Sequence, residues 1–164
     1  MSESDRFGAW SIDQAVFGWI LSNLRVGSHI LELGSGWATG ELARYYKMIS
    51  VEEHDTWIGK YDSTYIHAHS LNGWYDRESL ERNLPNVRYD LLLVDGPHSR
   101  YRTQLMKNLD LFDWSKMVVV DDCQESEFMK MAKEISENYC KRPMEIINGI
   151  GYEYHEAKLA VGIK

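Results

Sequence analysis

Two runs, "YDLLLVD" at 89–95 and "MVVVDD" at 117–122, do most to limit what this chain can become. Neither alternates apolar with polar residues, so each reads as a strand buried on both faces. A sheet with two buried faces needs helices above and below it. Strands separated by helical stretches then run parallel. Both runs also end on acids, Asp95 in one and Asp121 with Asp122 in the other. In such sheets ligands bind beyond the carboxyl ends of the strands.

The rest of the chain alternates in the same way. "SIDQAVFGWILSNL" places Ile12, Val16, Phe17, Ile20, Leu21 and Leu24 on one helical face, with Ser11 and Gln14 at capping-box spacing. "HILEL" (29–33) reads as a strand, "GSGWATG" as a turn and "ELARYY" as the helix that the turn launches. "MISVEE" (48–53) is a second strand, followed by a short helical "DTWIGKYD", a strand "YIHAH" (65–69) and a helical "RESLERNL" (77–84). A helix is expected near "RTQLMKNLDLF". In "ESEFMKMAKEISENYC", Phe128, Met131, Ala132, Ile135 and Tyr139 recur at helical spacing. "MEIIN" and "KLAVGIK" are late strands. At 164 residues the chain reads as one domain, 1–164, with an α/β fold and no linker.

Composition narrows the partners. The net charge of −7 argues against a nonspecific grip on nucleic acid or an anionic membrane. The two cysteines, Cys123 and Cys140, form neither a disulfide framework nor a zinc spacing, as expected of a reduced compartment. "MSESDRFGAW" lacks the basic and apolar pattern of a secretory leader, and no apolar run has the length of a membrane span. These features predict a cytoplasmic protein.

The polar breaks converge. Gly34 and Gly36 follow the first strand, Glu52 and Glu53 end the second, Asp95 ends the fourth, and Asp121 with Asp122 end the fifth. In "ILELGSGWATGELA" a strand runs into glycines and then a helix N-terminus, the layout of a nucleotide-cofactor turn. A dinucleotide fingerprint begun at Gly34 requires glycine at position 39, where Thr39 stands. Glu32, just before the turn, supplies a carboxylate instead.

Here the chain resembles the class I S-adenosylmethionine-dependent methyltransferases. "E-L-G-S-G-W-A-T-G" is similar to their first motif, E/D-x-G-x-G-x-G, with Ala38 at the last glycine. The resemblance implies a Rossmann-like methyltransferase fold: a mostly parallel central sheet with an antiparallel late strand and helices on both faces. It implies S-adenosylmethionine as cofactor, bound by Glu32, Gly34, Gly36 and Asp95. Glu52 corresponds to the acid that holds the ribose hydroxyls, with Glu53 as its rival, and His69 and Ser70 border the adenine.

A narrower resemblance lies in "VDGPHSRY" and "VVVDDC". They are similar to the D-G-x-H-x-Y and D-D signatures of O-methyltransferases of the cation-dependent catechol type. This implies Asp95, Asp121 and Asp122 as ligands of Mg²⁺ or another divalent cation, a donor set suited to hard ions. Asp122 stands where the family often has Asn. His98 occupies the place of a basic residue near the substrate hydroxyl. With an ordinary pKa of about 6.5 it suits a general base. Asp95 would hold either the ion or the hydroxyl.

His67 and His69 share a strand face, a metal-binding geometry or a solvated pair. Trp74 and Tyr75 either stack on a ligand or shield the core. Arg100 and Arg102 read as a solvated helix start or as contacts to an acidic substrate. The expected activity is methyl transfer to a hydroxyl of a small molecule or sugar, in a chain that is a monomer or a homodimer. The alternatives are an S-adenosylmethionine-binding protein that does not methylate and an NAD-dependent oxidoreductase, which Thr39 in the glycine turn disfavours.

Overall fold

A computed structural model describes Phe7, residues 11–151 and residues 156–164. The sequence suggests that "FGAWSID" (7–13) and the segment Tyr152 to His155 contribute to the substrate side; of these, residues 8–10 and 152–155 lie outside the described residues.

The apolar runs become the strands they predict. In chain order the elements are α1 (Gln14–Asn23), β1 (His29–Leu33), α2 (Trp37–Leu42), β2 (Lys47–Glu52) and β3 (Ser63–His67). A small hairpin follows, β4 (Ser70–Leu71) and β5 (Trp74–Tyr75), then α3 (Arg77–Asn83), β6 (Leu91–Val94), β7 (Met117–Val120), α4 (Ser126–Glu134), β8 (Met144–Ile150) and β9 (Ala157–Ile163). Seven strands form one sheet in the order β3-β2-β1-β6-β7-β9-β8. All neighbours from β3 to β7 pair in parallel, and β9 runs antiparallel to both β7 and β8.

Side-chain alternation divides the core between the two faces. Leu91 and Leu93 of β6 join Ile30, Met48 and Val119 under α1 and α2. Leu92 and Val94 join Leu31, Val51, Val118 and Val120 under α3 and α4. Each central strand is therefore covered twice, which is why these runs do not alternate.

Local departures from the sequence reading have local causes. Helix α1 is capped by Asp13, whose Oδ1 accepts the Val16 N–H at 2.9 Å, and not by the Ser11–Gln14 pair. The stretch around "DTWIGKYD" is a series of turns. Residues Ser99–Lys107 form a 3-10 helix in place of the expected α-helix. Its inward residues, Arg102, Leu105 and the following Asn108, recur every third position, the repeat of a 3-10 helix. After Glu134, α4 continues as a π-helix, Ile135–Cys140. The wider turn rotates the buried face, so Ser136 is covered while Tyr139, expected inward, is 43% exposed.

Candidate functional site

The strand order reverses between β1 and β6, and this reversal opens a crevice at their carboxyl ends. Its floor is made by two glycines from the loops after these strands. Gly34 has φ +84°, and a Cβ on it would lie 3.1 Å from the Gly96 Cα. A Cβ on Gly96 would lie 2.9 Å from the Gly34 Cα and 2.6 Å from the Tyr75 hydroxyl. Only glycine at both places lets the loops meet. Above them lies a cleft of about 590 Å³, lined by Ser35, Glu52, Glu53, His54, Trp57, Tyr75, Asp95, His98, Arg102, Asp122 and Lys158, among others.

The glycine turn is held by side chains whose roles are distinct. The Gly34 N–H donates to the Val51 carbonyl at 2.8 Å, the Ser35 N–H to Glu52 Oε2 at 2.8 Å and the Gly36 N–H to Thr39 Oγ1 at 2.9 Å. None of these three donors is left for a pyrophosphate. Thr39 is the staple, since its hydroxyl also donates to Glu32 Oε1 at 2.8 Å. Glu32 accepts a second bond from the Ser50 hydroxyl. Burial pushes the Glu32 carboxyl up to about 8, against the pull of the Ser50 and Thr39 bonds and with a small addition from the Glu52 charge. Glu32 and Gly36 thus stand behind the turn and not in the cleft wall.

Glu52 does line the cleft. Its Oε2 accepts the Ser35 N–H and hydroxyl, both at 2.8 Å, and its Oε1 accepts the N–H groups of Glu53 and His54, both at 2.8 Å. Glu53 lies beside it, 3.6 Å from the His54 ring nitrogen Nε2.

The three strand-end acids also come together. One oxygen each of Asp95, Asp121 and Asp122 lies within 4.8 Å of the others. Two basic side chains share that space. Lys158 Nζ is 2.7 Å from Asp121 Oδ2, 3.4 Å from Asp122 Oδ1 and 3.0 Å from the Ser11 carbonyl. The guanidinium of Arg102 donates to Asp122 Oδ2 at 3.0 Å, to the Asp121 carbonyl at 3.2 Å and to the Asp95 carbonyl, and lies over the Phe128 ring.

These neighbours set the protonation of the acids. Burial and the Asp121 charge raise the Asp95 carboxyl well above the usual carboxylate range, outweighing the pull of Arg102 and Lys158. Burial likewise raises Asp121, against Lys158. Asp122 is also pushed up by burial, but Lys158 and Arg102 together hold it below its ordinary value.

A divalent cation does not fit this arrangement. Arg102 carries a permanent charge, and Lys158 is raised above its ordinary value by the three acids despite burial. An ion among the acids would face both. Asp121 is fully buried, and the lysine closes off its Oδ2. Both of its oxygens are buried without a hydrogen-bond partner among the described residues, and the ion pair to the lysine is what compensates them.

Of the residues expected at the site, Gly34, Glu52, Glu53, Asp95, His98 and Asp122 line the cleft. His69 and Ser70 do not. Both are exposed beyond the end of β3, where His67 pairs with Asp55 at 3.0 Å and its ring lies 4.1 Å from that of His69. Trp74 is buried core, whereas Tyr75 reaches the cleft. Arg102, read as a solvated residue or a substrate contact, is 4% exposed. Ser35, Trp57 and Lys158 were not singled out by the sequence reading.

No protein-family model matches the sequence, and neither does any curated protein. Solved structures do. Precorrin-6y C5,15-methyltransferase from Geobacter metallireducens superposes over 97% of this chain and 93% of its own, with TM-score 0.62 and 13% identity. The O-methyltransferase TomG from Streptomyces achromogenes, in complex with S-adenosylmethionine, covers 95% of this chain and 82% of its own, with TM-score 0.62 and 15% identity. An O-methyltransferase from Bacillus cereus, in complex with S-adenosylhomocysteine, covers 92% and 80%, with TM-score 0.64 and 13% identity. Sheet order, antiparallel last strand and these likenesses agree: the chain has the Rossmann-like fold of the class I S-adenosylmethionine-dependent methyltransferases.

Proposed function

We propose that this protein is an S-adenosylmethionine-dependent methyltransferase that acts on a hydroxyl of a small molecule. The observation that carries the reading is the crevice at the β1/β6 reversal, floored by Gly34 and Gly96 and flanked by the Glu52 carboxylate. Its volume lies within the range of cofactor sites. The engaged N–H groups of residues 34 to 36 speak against a dinucleotide, whose pyrophosphate depends on such donors.

When bound, S-adenosylmethionine supplies a methyl group already activated by its sulfonium. The chain's own residues then have three tasks. Glu52 holds the ribose diol, with the Ser35 hydroxyl yielding its place on Oε2 while the backbone N–H bonds keep the carboxylate aimed. Asp95 faces the cleft and, in its ionised form, takes the proton released by the acceptor hydroxyl; burial favours its protonated form and so makes the carboxylate a stronger base than an exposed one. Trp57 and Tyr75 wall the cleft against water, and His98 stands exposed in its lining. Two of the likenesses, TomG and the Bacillus cereus enzyme, are named O-methyltransferases, which favours oxygen as the acceptor atom.

Calorimetric titration with S-adenosylmethionine tests the reading. Glu52→Gln is expected to weaken binding by about tenfold to a hundredfold, the worth of hydrogen bonds to a charged group. Ser35→Ala removes only a competing hydroxyl and should leave affinity within roughly threefold. A folded wild-type protein that does not bind S-adenosylmethionine overturns the proposal, and binding of NAD in its place would revive the dinucleotide reading.

A further inference from the structure

Three carboxylates that meet at a strand edge ordinarily need a positive charge among them, because like charges so close cannot all ionise without compensation. Here the chain brings its own. Lys158 enters from β9, whose antiparallel course puts its first residues at the ligand edge of the sheet. Arg102 enters from the 3-10 helix after β6. Each side chain bridges two of the acids. Lys158 touches Asp121 and Asp122, and Arg102 joins Asp122 to the Asp95 loop, with its Nη2 also 3.9 Å from Asp95 Oδ1. Lys158 Nζ also donates to the Ser11 carbonyl, which fixes the ammonium between the two acids and the chain before α1.

We infer that Lys158 and Arg102 do the work of a divalent cation among Asp95, Asp121 and Asp122, so that the acceptor side of this cleft runs on fixed protein charge and binds no metal. The inference rests on the methyltransferase reading for its bearing on substrate. A metal centre selects acceptors that chelate through two adjacent oxygens. With Asp121 and Asp122 held in close ion pairs, Asp95 is the least engaged of the three acids in the cleft wall, which matches a single hydroxyl and gives a chelating diol no advantage.

The test counts bound Mn²⁺ by electron paramagnetic resonance, without cofactor, so that its outcome is separate from that of the S-adenosylmethionine titration. The parent protein carries His67→Ala and His69→Ala, which removes the exposed Asp55, His67 and His69 cluster from the count. The parent is expected to show no Mn²⁺ site that Asp122→Asn abolishes. Adding Lys158→Met should create one, at least about tenfold tighter than any residual binding, because Asp121 then loses its counter-charge and the three acids share only that of Arg102. Adding Asp122→Asn to that variant should erase it. Mn²⁺ should also raise the melting temperature of the lysine variant and not that of the parent. Lys158→Gln replaces the methionine variant if the latter does not fold, and the parent titration stands whatever either variant does. A parent Mn²⁺ site that is lost with Asp122→Asn overturns the inference, as does a folded lysine variant that gains none.

Discussion

At the scale of single residues, Glu32 shows how the turn is held without spending an ionised group. Its carboxyl is raised to about 8 by burial, so near neutral pH it is largely protonated and accepts from Thr39 and Ser50 as a neutral group. The pH dependence follows. Below its ordinary value of 4.5 the group is protonated in both folded and unfolded chains. Between there and about 8 the unfolded chain gives up the proton while the folded one keeps it, so stability falls as pH rises, by at most about 1.4 kcal/mol per pH unit. Above that window the loss is constant. Glu32→Gln removes this titration. Urea unfolding at pH 4.5 and 8.5 should show the variant gaining stability relative to wild type at the higher pH. An unchanged difference would mean that Glu32 is ionised in the fold.

Among elements, the decisive contact is that between the loops after β1 and β6. Gly96→Ala drives a methyl group into Gly34, the Leu33 carbonyl and the Tyr75 hydroxyl. Overpacking of this kind costs about 1–3 kcal/mol, which lowers the melting temperature of a chain this size by roughly 2–12 °C. It should also weaken cofactor binding, since the floor of the cleft must shift. Gly18 is the control. A Cβ there meets nothing within 4 Å, so Gly18→Ala within α1 should stabilise by about 0.5–1 kcal/mol. Equal effects of the two substitutions in a thermal melt would contradict the packing argument.

The same scale shows what the sequence made legible. The unalternating β6 and β7, the glycine turn and the acids at strand ends are local patterns, and each could be read from a few adjacent letters. Arg102 could not, because an arginine in a polar stretch reads as solvated, and what buries it are acids that only the fold brings to it. Lys158 left a fainter signal: a lysine opening an apolar strand. Once that strand is known to run antiparallel, its beginning must lie beside the ends of the parallel strands, and the lysine with it. His69 and Ser70 lie outside the cleft lining because β3 ends at His67 and both follow it as exposed residues at the start of the small hairpin.

For the whole molecule, the two thiols report different depths of opening. Burial pushes the Cys123 thiol up to about 12, with the Asp121 charge adding to the effect, and the side chain lies 2% exposed beneath the carboxylate cluster. Cys140 is only partly buried, at the end of the π-helix. A thiol reagent added to the native protein should label Cys140 first and Cys123 far more slowly, with the slow rate tracking global stability in urea. Comparable rates would place a local opening next to the cleft.

The position of β9 between β7 and β8 has a consequence for synthesis on the ribosome. Translation delivers β8 before the strand that must separate it from β7. Until β9 emerges, the nascent β7 presents an unpaired valine edge, the kind of edge that recruits other chains. Of the two cations described beside them, Asp121 and Asp122 then have only Arg102. The lysine that completes the site thus arrives with the strand that seals the sheet, and a stalled chain lacks both at once.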